Sequence, residues 1–580
     1  MKKNKFIAIL SKENSAKIFF SILFVYFFSL NIYQMHNQHW TAMLDQDIKI
    51  IYNSLLVSSG FEQEYRDHPA YTTFLILGGI FKICSIFFDN FTIQEVFKSD
   101  NIDKEFQKLF YIGRIINTIY IFLLTLFIFK ILNELKISKL ISFISVSLSI
   151  FFISFYELLF VLRSEIVAVL MFLVSLYFLI RFLNKSNILY ILLTGVFFAL
   201  SMLAKIQAIF LFFSLFLALP FLITYLSATN RLNNLIKRSK LLLLCKLVLI
   251  LFGIFYLLSQ YLLSRNFLIE LNDPAFSFLH NEDLFVFIFF GLFYFLFIKL
   301  LANYKLVSGN QIIVSLGMII SGFTLCIVIV LFLDILNIIS FNKLNFLRLL
   351  NPIKFMGLHT FEMQKEVSII MTFKALLQAA IGHYDLSAEF NEKFNPTVFN
   401  IDTKIFFRNL HLLSLFLLIL VSLISIKNKN LLNLTLAFLC GIIIYNLIFL
   451  LRETIGYNIF IFPLYIFIFS ILLNKLSKRY LSIFSLIFVI VFLSENFFLS
   501  GMYKNIFSRE PSVYNFCGLD KWKNSENYQE NYNNRSYIKL VQDTDTWIKA
   551  YAEKFYGIGL EYCIQLDEKV NREQKFKFNY

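Results

Sequence analysis

Long apolar runs separated by short polar stretches follow one another from the N-terminus almost to residue 500. A helix rises about 1.5 Å per residue, so a run of about 20 apolar residues can cross a hydrocarbon core of about 30 Å. A membrane-spanning barrel would show alternating polar and apolar positions instead. The pattern predicts an all-α integral membrane protein with about thirteen crossings, at residues 18–32, 110–131, 138–157, 165–183, 188–204, 206–227, 241–263, 284–301, 311–335, 404–426, 431–450, 457–475 and 480–499.

The composition agrees with this interpretation, because 58% of the residues are hydrophobic and only 16% are charged. Soluble domains have about 45–50% apolar and about 25% charged residues. A net charge of +15 would suggest a nucleic-acid partner for a soluble protein. Here the cations form short clusters between apolar runs, as the positive-inside rule requires. We therefore expect membrane lipid, and no nucleic acid, around this chain.

One apolar segment, residues 71–88, decides the topology. If it crossed the membrane, the basic clusters at 130–139 and 231–240 would face outward. If it lies in the membrane interface, both clusters face the cytoplasm together with the other basic clusters between spans, which fits the positive-inside rule far better. The interfacial interpretation puts the N-terminus in the cytoplasm and the C-terminus outside.

The same topology predicts the domain organisation. A transmembrane domain, residues 1–500, carries two long external segments, at 34–109 and 339–403, and residues 501–580 form a small external domain or tail. Long segments that do not cross are usually functional or disordered. Cys517 and Cys563 both fall in the tail, where they could form a disulfide or remain as two free thiols.

The first external segment contains a predicted amphipathic helix that lies on the membrane surface and ends at Gly60. Asp45 and Asp47 fall in its N-terminal turn, where the helix dipole and free N–H groups stabilise carboxylates. The sequence leaves open whether Asp45 is only a helix cap or a functional acid. The apolar residues at helical spacing are Ile48, Ile51, Tyr52, Leu55 and Leu56.

The same segment contains five further polar residues that a surface helix does not need. Its histidines are not spaced as zinc ligands usually are, so we predict no zinc site. The five residues indicate that the segment is functional. These residues are His36, His39, Arg66, Asp67 and His68.

This segment resembles the first external loop of GT-C superfamily glycosyltransferases, and most closely the protein O-mannosyltransferase and aminoarabinose transferase branch (family 39-like). The shared features are an acidic pair that opens a helix after the first span, a glycine at the end of that helix, and His68-Pro69 before an apolar segment. The chain has Asp45-Gln46 where the family has Asp-Glu, with a further acid at Asp47, so either aspartate could be the base. Downstream, the resemblance rests on Arg163 and Glu165 at the start of a span, Lys205 in a tight outer hairpin, and Arg452 before an aromatic, proline-bearing span.

The resemblance implies a GT-C-type helical bundle in the inner (plasma) membrane of a bacterium. It implies a hexosyl- or pentosyltransferase that moves a sugar from a polyprenyl-phosphate donor to an unknown acceptor, whether glycan, lipid or protein, with inversion at the outer face. Such a reaction needs a carboxylate to take the acceptor proton and cations near the departing phosphate. On this view Asp45 or Asp47 is the base, with a divalent cation (Mg or Mn) at the two aspartates left open. The expected substrate-binding residues are Arg66, His68, Arg163, Glu165, Lys205 and Arg452.

The sequence also leaves other interpretations open. Lys205 and Arg452 could simply extend to the membrane interface, and Arg163 could pair with Glu165 alone. A lipid-sugar transporter, flippase or polymerase-like protein is the alternative function. Transporters typically have paired halves with broken midplane helices, and the sequence shows neither. Asp334, an acid within the predicted span 311–335, lies towards the outer end of its helix.

Overall fold

The computed structural model of the 580-residue chain describes only part of it. In that part all regular secondary structure is helical. The predicted external segment 339–403 lies outside the described residues except at 339, 340 and 349, and so does the predicted external domain 501–580. The described residues are 13–36, 47–61, 63, 70–99, 102–150, 158–159, 161–226, 228–236, 239–264, 308–336, 338–340, 349, 429–449 and 459–475.

The helices follow the predicted apolar runs closely. A 3-10 turn, Ile206–Ala208, lies between α8 and α9. The α-helices are α1 (Glu13–His36), α2 (Asp47–Ser58), α3 (Tyr71–Cys84), α4 (Ile93–Lys98), α5 (Ile102–Glu134), α6 (Lys139–Ile150), α7 (Ser164–Lys185), α8 (Ile188–Ala204), α9 (Ile209–Tyr225), α10 (Thr229–Ile236), α11 (Ser239–Ser264), α12 (Gly309–Ile335), α13 (Lys429–Phe449) and α14 (Phe462–Lys475).

Five described segments are long and apolar enough to cross a membrane: Ala16–Tyr33, Lys104–Glu134, Ser164–Lys185, Ile206–Tyr225 and Gly309–Ile335. Helices α3 and α8 and parts of α13 and α14 are apolar but shorter. The expectation of a helical membrane protein is confirmed at this level, whereas about thirteen crossings stay a prediction. The predicted spans 284–301, 404–426 and 480–499 lie outside the described residues.

Helix ends are set by local capping. Ser308 and Gln311 form a reciprocal capping box at the start of α12, which satisfies backbone N–H groups that have no partner within the helix. The side chain of Asn187 accepts a hydrogen bond from the Leu189 N–H group at 3.0 Å and so begins α8. After α5, Lys136 adopts a positive φ of 61° and the chain leaves the helix.

Helices α1 and α5 run antiparallel. Near the C-terminal end of α1, the amide of Asn31 donates to the Arg114 carbonyl oxygen in the first half of α5 at 2.8 Å. Near the N-terminal end of α1, the Phe20 ring packs edge-on against Phe129 in the last third of α5, with centroids 5.2 Å apart. Helix α5 therefore begins at the end of the bundle where α1 finishes. The chain between them makes no net crossing, which agrees with an interfacial segment at residues 71–88.

The bundle has two chemically different ends. At one end, Arg181 Nε lies 3.5 Å from the Glu134 carboxylate, and the Tyr225 hydroxyl donates to the Leu135 carbonyl oxygen at 3.1 Å. We call this the basic end, because lysines and arginines cluster there. The opposite end is formed by the first turns of α3, α5 and α7 and the last turns of α8 and α12. The described cations of the basic end include Lys17, Lys130, Lys136, Lys139, Arg181, Lys185, Arg231 and Lys240.

Helix α2 is present and ends as predicted. Gly60 has a φ of +81°, its N–H group donates to Val57, and the next N–H group, of Phe61, donates to Leu56, which is a Schellman motif. Residues 50–57 are all buried, so other parts of the chain cover the helix, and its position on the membrane surface stays a prediction. Helix α3 folds back against α2 so closely that a Cβ atom at Gly78 would lie 2.6 Å from the Ser54 carbonyl oxygen.

Helices α8 and α12 cross with their backbones in contact. A Cβ atom on Gly195 would collide with the Ile319 carbonyl oxygen, and one on Gly322 would collide with the Leu192 carbonyl oxygen. Small residues permit such close approach where packing, rather than expulsion of water, holds helices together. The α8 helix, which ends at the opposite end of the bundle, is thereby fixed in place.

We expect Gly195→Ala to lower the melting temperature of the purified protein, because the added methyl group must separate two backbones. Overpacking of this kind costs about 1–3 kcal/mol. Gly253→Ala in α11 is the matched control, since a Cβ atom there meets nothing within 4 Å. Equal melting temperatures for the two variants would contradict the crossing.

We expect a cysteine at Asp89 to react with a membrane-impermeant maleimide from outside intact cells, and one at Lys139 only after the cells are opened. Both side chains are exposed. The Asp89 carbonyl oxygen accepts from Lys108 near the start of α5, at the opposite end, whereas Lys139 is at the basic end. The native cysteines are replaced by serine beforehand. External labelling at both positions would show that α5 does not cross the membrane between them.

Candidate functional site

A buried ion pair joins two residues that the sequence singled out in separate motifs. Lys205 Nζ lies 3.1 Å from Glu165 Oε1, and the two side chains are 1% and 2% exposed. Glu165 belongs to the first turn of α7, and Lys205 lies where α8 ends and the 3-10 turn begins. The pair therefore lies at the opposite end of the bundle from the basic end.

The start of α7 favours a carboxylate at this position. Arg163 has an extended backbone, with φ −134° and ψ 145°, so the helix begins at Ser164. Glu165 then falls in the first turn, where the positive end of the helix dipole stabilises a negative charge. The Ser164 hydroxyl donates to Glu165 Oε2 at 3.3 Å. Local structure thus stabilises the carboxylate before any tertiary contact forms.

The break between α8 and the 3-10 turn determines where Lys205 lies. Its backbone is extended, with φ −158° and ψ 125°. Its N–H group still donates to the Ser201 carbonyl oxygen at 3.0 Å, and its own carbonyl oxygen accepts from Ala208 at 3.1 Å. The Ser201 hydroxyl donates to the Ala168 carbonyl oxygen of α7 at 2.6 Å, so α7 and α8 are locked together one turn away from the ion pair.

Arg163 adds a second positive charge that acts on the Glu165 carboxylate. Lys205 and Arg163 therefore both act on one buried carboxylate. Two alternatives left open by the sequence are wrong: Glu165 does not interact with Arg163 alone, and Lys205, which is 1% exposed, does not extend to the surface. Cations of low solvent exposure are suited to bind an anionic group such as a phosphate.

The surroundings of Lys205 are apolar. Met202 and Ile206, on either side of it in sequence, are buried in a small cluster with Phe198, Phe210 and Leu349. Leu349 belongs to the predicted external segment 339–403. Placing charges in such surroundings is costly, and ionisable residues of membrane spans usually have a functional role.

The first external segment also reaches this end, through the first turn of α3. The Thr72 hydroxyl donates to the Leu200 carbonyl oxygen at 2.6 Å, near the C-terminal end of α8. The Tyr71 hydroxyl donates to the Ser340 carbonyl oxygen at 2.7 Å, just beyond α12. Both predicted external segments therefore contact the bundle at the end that holds the ion pair.

Most of the other predicted site residues are not among the residues that the structure describes. Asp45, Arg66, His68 and Arg452 lie outside the described residues, and Asp47 is the first residue of α2. The described residues contain no group of three His, Cys, Asp or Glu side chains that could hold a metal ion. A divalent cation at Asp45 and Asp47 stays a prediction, since one of these ligands lies outside the described chain.

Two buried polar residues of α5 near this end were not among the predicted site residues. Arg114 is 1% exposed, and its guanidinium lies 4.8 Å from the centre of the Phe110 ring. The Asn117 amide donates to the carbonyl oxygens of Leu158 at 2.7 Å and Val161 at 3.2 Å, immediately before Arg163. Helix α5 therefore fixes the chain that leads into the start of α7. Arg114 could have been noticed in the sequence, because it is an arginine inside a predicted span.

We expect Lys205→Met alone to destabilise the protein by about 3–5 kcal/mol, because it leaves the buried Glu165 charge without its partner. The double variant Glu165→Gln/Lys205→Met removes both charges and should regain most of the lost stability. The measurement is the free energy of unfolding of each variant by denaturant in detergent. A double variant less stable than the single one would show that the two side chains are not paired.

Comparisons of the chain with protein-family models, with curated proteins and with solved structures found no match. The resemblance to GT-C glycosyltransferases therefore rests on the motifs of the sequence alone. The motifs and the ion pair between Glu165 and Lys205, which belong to two of them, are the features that point to a function.

Proposed function

We propose that this chain is a membrane glycosyltransferase that moves a sugar from a polyprenyl-phosphate donor to a hydroxyl group of an acceptor at the outer face of the membrane, with inversion. The observation that carries the proposal is the buried Glu165–Lys205 pair with Arg163 beside it. Separate motifs of the sequence predicted these three residues as parts of one site. Their meeting at one end of the bundle is what such a site requires.

The position of the cluster supports an extracytoplasmic reaction. The positive-inside rule assigns the basic end to the cytoplasm, so the ion pair belongs to the outer side. A polyprenyl-phosphate sugar in the outer leaflet has its phosphate at the level of the ends of the spans. Lys205 and Arg163 are then available at the depth of the phosphate, while the prenyl chain remains in the hydrocarbon.

In the proposed reaction the acceptor hydroxyl oxygen attacks the anomeric carbon as the bond from that carbon to the phosphate oxygen breaks. Asp45 or Asp47 takes the hydroxyl proton, and polyprenyl phosphate leaves with the bonding electron pair. Attack from the side opposite the phosphate inverts the configuration. Lys205 and Arg163 stabilise the negative charge that grows on the phosphate, in a place of low dielectric where such an effect is strong.

Glu165 positions Lys205 in this scheme. A lysine side chain has many conformations, and a carboxylate at 3.1 Å restricts its ammonium group to one place. Fixed charges that need no rearrangement during the reaction stabilise a transition state most effectively. The remaining expected contacts of the donor, through His68, Arg66 and Arg452, belong to the same proposal.

The experiment combines donor binding and sugar transfer in the full chain, with a mixture of polyprenyl-phosphate hexoses and pentoses as probes and mass spectrometry as the readout. We expect Asp45→Asn or Asp47→Asn, whichever removes the base, to slow transfer about 10²–10⁴-fold while donor binding is retained. Loss of a helix cap alone would cost only about 1 kcal/mol of stability.

The variant Glu165→Gln/Lys205→Met should lose donor binding although it folds. Its matched control is Glu105→Gln/Lys108→Gln, which removes a more exposed ion pair of 3.7 Å at the same end. Donor binding by the Glu165 and Lys205 double variant at the normal affinity would reduce the pair to a structural role. If both aspartate variants transfer sugar at the normal rate but lose lipid-sugar transport, the glycosyltransferase proposal is wrong and the protein is a transporter.

A further inference from the structure

A groove of about 570 Å³ opens at the basic end of the bundle, far from the ion pair along the helices. Helix α1 forms one wall and the last turns of α5 form the other, with Tyr177 of α7 between them. Its size is that of a small-molecule site. The lining residues are Ala16, Lys17, Phe20, Leu126, Phe129, Lys130, Asn133, Glu134 and Tyr177.

The charges of the groove are positive in excess. Glu134, the one carboxylate among the described lining residues, already has partners, because Arg181 Nε lies 3.5 Å from it and the Asn184 amide donates to it at 3.1 Å. Lys17 and Lys130 are both exposed, and among the described residues neither has a carboxylate within ion-pair distance. The groove therefore offers two ammonium groups to an anion.

Lys130 is held in place by aromatic rings and not by an acid. Its Nζ atom lies 5.3 Å from the centre of the Phe127 ring and 6.0 Å from that of Tyr177. Cation–π contacts of this kind orient an ammonium group while leaving its charge available. Deeper in the groove, Phe20, Leu126 and Phe129 present an apolar surface. The groove is thus cationic at one side and apolar at the other.

The outer face of α1 continues the apolar surface along the span. Ile18, Ile22 and Val25, which share this face, are 60%, 65% and 61% exposed. In a membrane such a face contacts acyl chains, and the lysines near the end of the span lie at the level of lipid headgroups. An occupant of the groove therefore has an anionic head and an apolar tail.

We propose that this groove binds the headgroup phosphate of an anionic glycerophospholipid, with an acyl chain lying along α1. Basic pockets between membrane helices on the cytoplasmic side recognise such lipids. The N-terminal segment of this chain is a poor occupant, because residues 1–12 contain four lysines and no acid. The site is separate from the proposed donor site, and its existence does not depend on the proposed function.

The test uses the full-length protein in detergent and titrates short-chain phosphatidylglycerol, phosphatidylcholine with the same acyl chains, and glycerol 3-phosphate. Native mass spectrometry counts the bound molecules, and thermal melting measures the stabilisation. We expect phosphatidylglycerol to bind more tightly than phosphatidylcholine. Glycerol 3-phosphate should bind weakly, because it has the phosphate but no chain to cover the apolar part of the groove.

The deciding variant is Lys17→Gln/Lys130→Gln, which we expect to weaken phosphatidylglycerol binding about tenfold or more, since each lysine near an anionic surface accounts for about fivefold. Lys136→Gln/Lys139→Gln is its control: it removes the same charge from exposed residues of the same end that do not line the groove. An equal loss in both variants, an unchanged affinity in the first, or glycerol 3-phosphate binding as tight as the lipid would each overturn the proposal.

Discussion

Polar groups that are removed from water must find their partners inside the protein, and this constraint governs the described structure. An unsatisfied polar group in hydrocarbon costs several kcal/mol, so hydroxyl groups within the helices bond to their own backbone. Ser54 donates to the Ile50 carbonyl oxygen at 2.6 Å and Ser470 to the Ile466 carbonyl oxygen at 2.6 Å. Other polar groups bind a neighbouring helix, as the Ser175 hydroxyl does when it donates to the Thr194 carbonyl oxygen at 2.8 Å, and such bonds connect the helices.

The same constraint explains why the chemistry lies at the ends of the bundle. Asn31, Asn117 and Thr72 each donate to a backbone carbonyl oxygen of another segment, and all three bonds lie in the half of the bundle that holds the ion pair. Glu165 and Lys205 satisfy one another in the same region. In the middle of the bundle, Gly195 and Gly322 bring α8 and α12 into backbone contact.

The two ends differ in how their cations are used. At the end that holds the ion pair, Lys205 is buried and paired with a carboxylate, which makes it a fixed charge within the protein. At the basic end, Lys17 and Lys130 are exposed beside an apolar groove, and Glu134, the one acid among its described lining residues, is paired with Arg181. A buried, paired cation suits a reaction centre that must exclude water, whereas exposed cations beside an apolar wall suit recognition of a lipid. One chain thus combines a proposed donor site and a proposed lipid site at opposite ends of the bundle.

The apolar pattern of the chain predicts a helical membrane protein and the positions of most described helices, because a span must be apolar over its whole length and this pattern is local. The end of α2 at Gly60 is predictable for the same reason, since a glycine cap depends on near neighbours, whereas Glu165 and Lys205 were singled out by the resemblance to a family. Only the folded structure shows that Glu165 pairs with Lys205, that α2 is buried beneath α3, and that Asn117 holds the chain before α7. These outcomes depend on which helices are adjacent, and the apolar surfaces that bring helices together are nearly the same on every span.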